Sequence, residues 1–171
     1  MKALKIIRDE DIGESFPAPS AYREQVSARA VIFDDEGKLA LLNATKKNFH
    51  KLPGGGVEKG EDIQTALARE LREEIGCAAR NLRKIGIVEE CRNKYALHQV
   101  SHCFLANLDG EIGATDLDES EIADGFKTVW MNLKDAIKTL ESESAIENYE
   151  GKFIRLRELA FLREAANVIR A

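Results

Sequence analysis

Cysteine is scarce in this chain, and its three thiols do not suggest pairing. The 171 residues include Cys77, Cys91 and Cys103, an odd number with no Cys-x-x-Cys spacing. Such a pattern argues against a disulfide framework and is typical of reduced thiols in the cytosol. We therefore expect a cytoplasmic protein.

The sequence also lacks long apolar runs and any excess of basic residues. Residues 1–8 are too short for the apolar core of a signal peptide, and no run approaches the roughly 20 residues of a membrane-spanning helix. The formal net charge of −5 argues against a broad nucleic-acid-binding surface. It does not exclude a nucleotide ligand, because metal ions can screen phosphates. We expect a small-molecule partner, with no membrane and no stable nucleic-acid binding.

Apolar periodicity and turn residues predict an alternation of strands and helices. The predicted strands cover residues 4–7, 26–33, 39–42, 82–89, 97–108 and 126–131, and the predicted helices follow Asp62 and cover 133–140 and 153–168. Residues 109–125 read as a long acidic loop, a kind of segment that is often functional. This order predicts an α/β fold, an α/β/α sandwich with a mixed β-sheet and helices on both faces.

Three glutamates crowd onto the helix that follows Asp62. Glu70, Glu73 and Glu74 are three and four residues apart, so their carboxylates are expected to point into one small volume. Like charges at this spacing destabilise an isolated helix unless something neutralises them. Oxygen-only ligands at this density suit Mg²⁺ or Mn²⁺, which often bridge to substrate phosphates.

The phase of the same helix places these glutamates on its apolar side. At about 100° per residue one apolar stripe is formed by Ile63, Ala66, Leu67, Leu71 and Ile75. Glu70 and Glu74 fall inside this stripe, and Glu73 lies at its edge, whereas Arg69 is expected on the outer side. Inward carboxylates are costly unless they are paired or bind a metal, which disfavours a merely solvated acidic face.

Read together, the helix and the glycine-rich turn before it resemble the Nudix box, the pattern G-x5-E-x7-R-E-U-x-E-E-x-G-U in which U is a bulky apolar residue. Every fixed position matches: Gly55, Glu61, Arg69, Glu70, Leu71, Glu73, Glu74, Gly76 and, in the last apolar slot, Cys77. The resemblance implies a Nudix hydrolase. It divides the chain into a strand and connection (1–21), a Nudix domain (22–142) and a C-terminal helix (143–171) that packs on the domain or forms a homodimer contact.

The family implies hydrolysis of a nucleoside diphosphate linked to another moiety, by attack of a metal-activated water. By position, the metal ligands would be Glu70, Glu73, Glu74 and the carbonyl of Gly55, while Glu61 and Arg69 would support them through ion pairs. The catalytic base is either Glu70 or a carboxylate of the acidic loop. In that loop Glu121 is slightly favoured over Glu119, because the segment precedes the last strand and could close over the helix.

Several alternatives stay open. Within the family, the substrate could be a nucleoside triphosphate, a nucleotide sugar or a dinucleoside polyphosphate, and the chain could instead be a non-catalytic Nudix-fold nucleotide-binding protein. His98, His102 and Cys103 invite a zinc interpretation, but a strand places the two histidines about 13 Å apart. Side chains that could meet a substrate are Lys46, Lys47, Phe49, Lys51, Arg92, Lys94 and Tyr95.

Overall fold

The computed structural model describes residues 3–143 and 145–170 and is built on a mixed β-sheet. Within the described residues the strands are β1 (Lys5–Ile7), β2 (Arg23–Phe33), β3 (Leu39–Ala44), β4 (Phe49–Lys51), β5 (Ala78–Arg92), β6 (Leu97–Asp109) and β7 (Phe126–Met131). The helices are α1 (Ile63–Ile75), α2 (Glu119–Asp124), α3 (Leu133–Ser142) and α4 (Tyr149–Arg170). None of the helices described is both long and apolar enough to cross a membrane.

The sheet has the strand order β1-β5-β6-β2-β3-β4, and β7 pairs with β3. The β1–β5 and β2–β6 pairs are parallel and the others are antiparallel. The pairing of β2 with β3 is at the hairpin, where Phe33 lies opposite Leu39. Farther along β2, the amides of Ala30 and Ala28 donate to the carbonyls of Pro53 and Gly55 (3.0 and 2.9 Å). The glycine-rich turn is therefore fixed against β2.

Alternate residues of β2 face two different helix layers. Ala28, Ala30 and Ile32 belong to the core cluster that includes Leu67 and Leu71 of α1. The opposite cluster joins Val31 to residues of α4 that include Phe153, Phe161 and Leu162. Helices therefore cover both faces of a mixed sheet, which confirms the predicted α/β/α sandwich.

Helix α1 begins and ends where the sequence predicts. The Asp62 side chain accepts a hydrogen bond from the backbone amide of Thr65 at 2.8 Å, which caps the amino end. At the other end Gly76 adopts a left-handed conformation (φ 68°), and its amide bonds back to the carbonyl of Arg72. This geometry fixes the rotation of the helix and so the direction of its glutamates.

The sequence prediction misses two short elements, and it makes β2, β5 and α4 shorter than they are in the structure. The segment 109–125 is not one irregular loop, because β6 continues to Asp109 and the six-residue helix α2 forms at its end. Asp118 and Glu121 cap this helix reciprocally, a local signal that the acidic composition of the segment obscured. The short strand β4 is also absent from the sequence prediction, since three residues give little periodicity. The division into domains stays a prediction, and α4 packs against β5, β4, β1, β2 and α3.

Candidate active site

Glu74 is the most deeply placed of the three α1 glutamates, with 1% of its surface exposed. Lys51 Nζ donates to its Oε1 at 2.8 Å, and the backbone amide of Gly54 donates to its Oε2 at 2.5 Å. Gly54 has a φ of 126°, and a Cβ there would lie 2.1 Å from the carbonyl oxygen of Ala28. Only glycine can therefore bring this amide to Glu74.

Glu70 packs directly against the turn. A Cβ on Gly55 would lie 2.2 Å from Glu70 Oε1, so the missing side chain of this glycine makes room for the carboxylate. Arg69 Nη1 donates to Glu70 Oε1 at 2.8 Å and to Glu73 Oε2 at 3.2 Å. Glu73 is the most accessible of the three, with 39% of its side chain exposed.

The prediction that Arg69 faces outward is wrong. Its Nε and Nη2 donate to the two oxygens of Glu61 at 2.8 and 3.0 Å, and Nη2 also donates to the carbonyl of Gly56 at 3.0 Å. Hydrogen bonding from Arg69 lowers the pKa of Glu61 to about 2. The long Arg69 side chain bends back over the turn because three acceptor oxygens lie there, two of Glu61 and one of Gly56, which helical phase alone does not reveal.

Burial raises the pKa of two of the three glutamates. For Glu74, burial is the largest cause, opposed by the charges of Lys51 and Arg29. For Glu70, burial is again the largest cause, the nearby Glu74 raises the pKa further, and Arg69 opposes both. Two neighbouring carboxylates with raised pKa values are a site to which a cation would bind favourably.

The expected convergence of three carboxylates on one point is not found in residues 3–143 and 145–170, where no three acidic, histidine or cysteine side chains are placed to share a metal ion. Lys51 forms an ion pair with Glu74, and Arg69 lies between Glu70 and Glu73. Glu70 and Glu73 each accept a hydrogen bond from Arg69 through one carboxylate oxygen. These carboxylates could hold a divalent cation through their remaining oxygens.

The oxygen donors around the turn fit such a cation. Gly55 offers a carbonyl with one lone pair used by the amide of Ala28, and the Glu70 carboxylate occupies the place of its missing Cβ. Carboxylate and carbonyl oxygens are the ligands that Mg²⁺ prefers.

Helix α2 brings one predicted loop carboxylate to this site and leaves the other outside. Glu121 Oε1 lies 3.9 Å from Lys51 Nζ, the same ammonium group that binds Glu74. Glu119 is exposed and is not among the described residues that line the neighbouring cleft. Lys51 therefore connects α1 to α2 through Glu74 and Glu121.

A cleft of about 420 Å³, within the usual range of small-molecule sites, opens between α2, β4 and the start of α4. Lys47, Lys51 and Glu121 line it, and Arg29 and Arg157 form part of its buried floor. Of the other predicted contacts, Phe49, Arg92 and Tyr95 also line the cleft. Lys46 and Lys94 are not among its described lining residues.

Sequence reasoning missed the ion pairs under this cleft. Glu90 Oε2 accepts from Arg92 Nη2 and Arg157 Nη1 at 3.0 and 3.2 Å, and Glu158 Oε1 accepts from Arg157 Nη2 at 2.6 Å. Arg29 Nε lies 4.0 Å from Glu158 Oε1. The available signal was an arginine inside an apolar strand and an Arg-Glu pair on the apolar side of α4.

His98, one of the residues that invited a zinc interpretation, pairs with carboxylates instead. His98 Nδ1 and Nε2 lie 2.6 and 3.3 Å from oxygens of Glu24 and Glu89. Both ring nitrogens are therefore occupied, which leaves neither for a metal ion.

Comparison with known proteins assigns this geometry to a family. The model of the NUDIX domain matches residues 23–154, which include the glycine-rich turn, α1, α2 and most of the cleft lining. The chain belongs to the Nudix family. An ADP-ribose pyrophosphatase from Bacillus subtilis is 30% identical, over 72% of this chain and 69% of that protein. An RNA pyrophosphohydrolase from Pelagibacter ubique is 44% identical, over 36% of this chain and 37% of that protein.

Solved structures agree with the Nudix fold. The structural alignment with the ORF135 protein of E. coli covers 90% of this chain and 95% of that protein, with a TM-score of 0.58 and 19% identity. The MutT NUDIX hydrolase from Burkholderia pseudomallei covers 80% of this chain and 98% of its own length with a TM-score of 0.54 at 22% identity. With its pyrophosphatase and pyrophosphohydrolase relatives, this Nudix protein is a hydrolase that acts on phosphoric anhydride bonds.

Proposed function

We propose that this Nudix hydrolase is a Mg²⁺-dependent pyrophosphohydrolase that cleaves the diphosphate linkage of a nucleoside di- or triphosphate derivative. Water adds across one P–O–P bond, so that each product ends in a phosphate group. Mn²⁺ has the same ligand preference and is an acceptable substitute. The reaction class follows from the family, whereas the metal, the substrate and the residue roles are proposals.

One observation carries the metal proposal: Gly55 has no side chain at the position where a Cβ would collide with Glu70 Oε1. The Glu70 carboxylate itself fills that position and so lies directly against the turn, with Glu73 and Glu74 on the same helix. A divalent cation held there by these carboxylates and the Gly55 carbonyl would neutralise charge on the phosphoryl oxygens and lower the pKa of the attacking water.

The surrounding residues of the chain keep this arrangement in place. Glu61 and Arg69 form a two-bond ion pair that ties α1 to the glycine-rich turn. Lys51 holds Glu74 and reaches toward Glu121. We assign the role of general base to Glu121, which lines the cleft, and keep Glu70 as the alternative base because burial raises its pKa.

A nucleotide sugar is the second candidate substrate. The alignment with the relative from Bacillus subtilis, an ADP-ribose pyrophosphatase, covers more than two thirds of that protein's length. The relative named as an RNA pyrophosphohydrolase matches over a much shorter region. A nucleoside triphosphate and a nucleotide sugar both contain a diphosphate next to a nucleoside. They therefore share the reaction at α1 and differ in the group beyond the diphosphate.

The cellular location is proposed on separate grounds. Cys77, Cys91 and Cys103 are free thiols in the structure, and burial raises the pKa of the Cys77 thiol to about 11. Unreactive free thiols suit a reducing compartment, which supports the cytoplasm.

A panel of nucleoside triphosphates and nucleotide sugars, assayed with Mg²⁺ and with excess chelator, tests the activity. We expect metal-dependent release of phosphate products from at least one of them. Glu73→Gln and Glu74→Gln should each lower turnover roughly 100-fold or more, because loss of a charged oxygen weakens transition-state neutralisation. Glu111→Gln, an exposed acid outside the site, is the matched control.

Thermal melts supply a readout that does not depend on turnover. Binding of Mg²⁺ to the folded state alone raises the melting temperature, and this shift should shrink in Glu73→Gln but not in Glu111→Gln. Equal midpoints with millimolar Mg²⁺ and with chelator would argue against the metal site. Wild-type turnover in both glutamine variants would refute the assigned roles.

A further inference from the structure

Arg29 is a buried cation with two guanidinium nitrogens that have no hydrogen-bond partner in the part of the chain that the structure describes. It lies in the middle of β2, lines the cleft and has 8% of its surface exposed. Its Nε and Nη1 are buried without a partner among the described residues. The carboxylate paired with it, Glu158, is 4.0 Å away, beyond hydrogen-bond distance. A guanidinium in this position carries a desolvation cost, and the charge of Glu158 at 4.0 Å offsets only part of it.

The pairing of the neighbouring charges explains why Arg29 has no carboxylate within hydrogen-bond distance among the described residues. Under the cleft, three arginines (Arg29, Arg92 and Arg157) meet two fully buried carboxylates, Glu90 and Glu158. Glu90 is shared by Arg92 and Arg157, and Glu158 Oε1 is held by Arg157. Arg92 also donates to Glu150 at 3.1 Å. Among the described residues, Arg29 is therefore the arginine of the three whose nearest carboxylate lies beyond hydrogen-bond distance.

Arg29 is also tied to the turn that carries the hydrolytic site. Its two neighbours in β2 donate their amides to the carbonyls of Gly55 and Pro53. Its positive charge opposes the effect of burial on the pKa of both Glu70 and Glu74. Arg29 and Lys51, the partner of Glu74, line the same cleft, so a substrate that extends from α1 into this cleft comes within reach of Arg29.

We propose that Arg29 forms an anion subsite on the cleft floor that binds a further phosphate of the substrate, beyond the phosphates of the bond that is hydrolysed. This inference rests on the proposed function and deepens it. A planar guanidinium with unused N–H groups matches two phosphate oxygens at once. The substrate class is then a chain of at least three phosphates, such as a nucleoside triphosphate, rather than a diphosphate that ends in a neutral sugar such as ADP-ribose.

Binding of inorganic phosphate chains tests the subsite without any turnover. Calorimetry in excess chelator compares inorganic triphosphate with pyrophosphate on the wild-type protein, Arg29→Met and Arg29→Lys. We expect the wild type to prefer triphosphate. Arg29→Met should weaken triphosphate binding roughly 10- to 100-fold, the usual scale for bonds to charged groups, with little effect on pyrophosphate. Arg29→Lys should retain part of the preference, because it keeps the charge but loses the two-bond geometry.

Two controls separate this role from a structural one. Arg163→Met removes an exposed arginine of α4 outside the cleft and should leave both affinities unchanged. If Arg29 served only as an ion-pair partner of Glu158, then Glu158→Gln and Arg29→Met would lower the melting temperature alike, and neither would change triphosphate binding. If Arg29→Met fails to fold, the triphosphate preference of Arg29→Lys, compared with that of the wild type, decides whether the subsite exists.

Kinetics distinguishes failure of the subsite from failure of the proposed function. ATP and ADP-ribose share an adenosine diphosphate and differ in the group beyond it. In Arg29→Met the ratio of kcat/KM for ATP to that for ADP-ribose should fall. An unchanged ratio, or a wild type that binds triphosphate no better than pyrophosphate, overturns the subsite while hydrolysis stands. If Arg29→Met loses triphosphate binding but the wild type hydrolyses no member of the nucleotide panel, the subsite stands and the proposed function is refuted.

Discussion

Two basic side chains hold the α1 carboxylates apart before any ligand binds. Lys51 contacts Glu74, and Arg69 contacts both Glu70 and Glu73. The repulsion expected among three adjacent glutamates is therefore largely compensated within the protein. A divalent cation would add to these contacts or replace them. The structure thus explains how α1 stays helical despite its charge.

Glu121 is the residue that we assign as the general base. Glu121→Gln should lower kcat roughly 100-fold, since a positioned general base commonly contributes at least that much. Glu119→Gln should leave kcat near the wild-type value, because Glu119 is exposed and outside the described cleft lining. Steady-state kinetics at saturating Mg²⁺ provides the comparison. If both variants turn over like the wild type, Glu70 becomes the assigned base.

Gly55 and Gly56 are neighbours in the turn, but they differ in what a side chain would contact. Gly55→Ala should displace the Glu70 carboxylate, because the new methyl group would meet its oxygens at 2.2–2.5 Å. We expect at least a tenfold loss of kcat/KM and a smaller Mg²⁺-induced rise in melting temperature. Gly56→Ala is the control, since its methyl group would meet only the amide end of Gln25 at 3.2 Å. Equal activities of the two variants would refute the role of the Gly55 cradle.

At the scale of elements, His98 couples β6 to β2 and β5 through ion pairs. Burial lowers the pKa of His98, but the hydrogen bonds that its ring donates to Glu24 and Glu89 outweigh this effect and raise the pKa above the ordinary value of 6.5. A raised pKa means that the folded state favours the protonated ring. The stabilisation is therefore complete below about pH 6.5 and is lost as the pH rises through the higher pKa of the folded protein.

NMR titration of the histidine rings measures this effect. The His98 resonance should have a midpoint above 6.5, whereas that of His102, whose pKa burial lowers, should fall below it. His98→Gln should reduce the unfolding free energy more at pH 6 than at pH 9. A pH-independent difference between this variant and the wild type would contradict the ion-pair explanation.

Elements were predictable from the sequence where local patterns determine them. Helix α1, with its cap at Asp62 and its stop at Gly76, follows from residues close in sequence. The reach of Arg69 back over the turn depends on acceptors eight and thirteen residues away, so helical phase could not give it. Arg29 and Glu158 meet through packing of α4 on the sheet, a long-range event without a local signature.

On the scale of the whole molecule, α4 unites the hydrophobic core with the floor of the cleft. Phe153, Phe161 and Leu162 are fully buried against the sheet. The same helix supplies Arg157 and Glu158 to the ion pairs below the cleft. The family model ends at residue 154, inside this helix, although the packing continues beyond that point. Folding and formation of the cleft floor are thus expected to depend on the same element.

Truncation tests this dependence. A chain that ends at Asn148 should lose cooperative unfolding, because each buried phenylalanine contributes about 3–5 kcal/mol and a whole domain has only about 5–15 kcal/mol. It would also leave Glu90 without Arg157, a buried charge with a broken pair. A chain that ends at Val168 is the control, since Ile169 and Arg170 are exposed. Chemical denaturation followed by circular dichroism compares the two. A cooperative transition of wild-type midpoint in the shorter chain would show that the domain folds without α4 and that the ion pairs beneath the cleft are dispensable for stability.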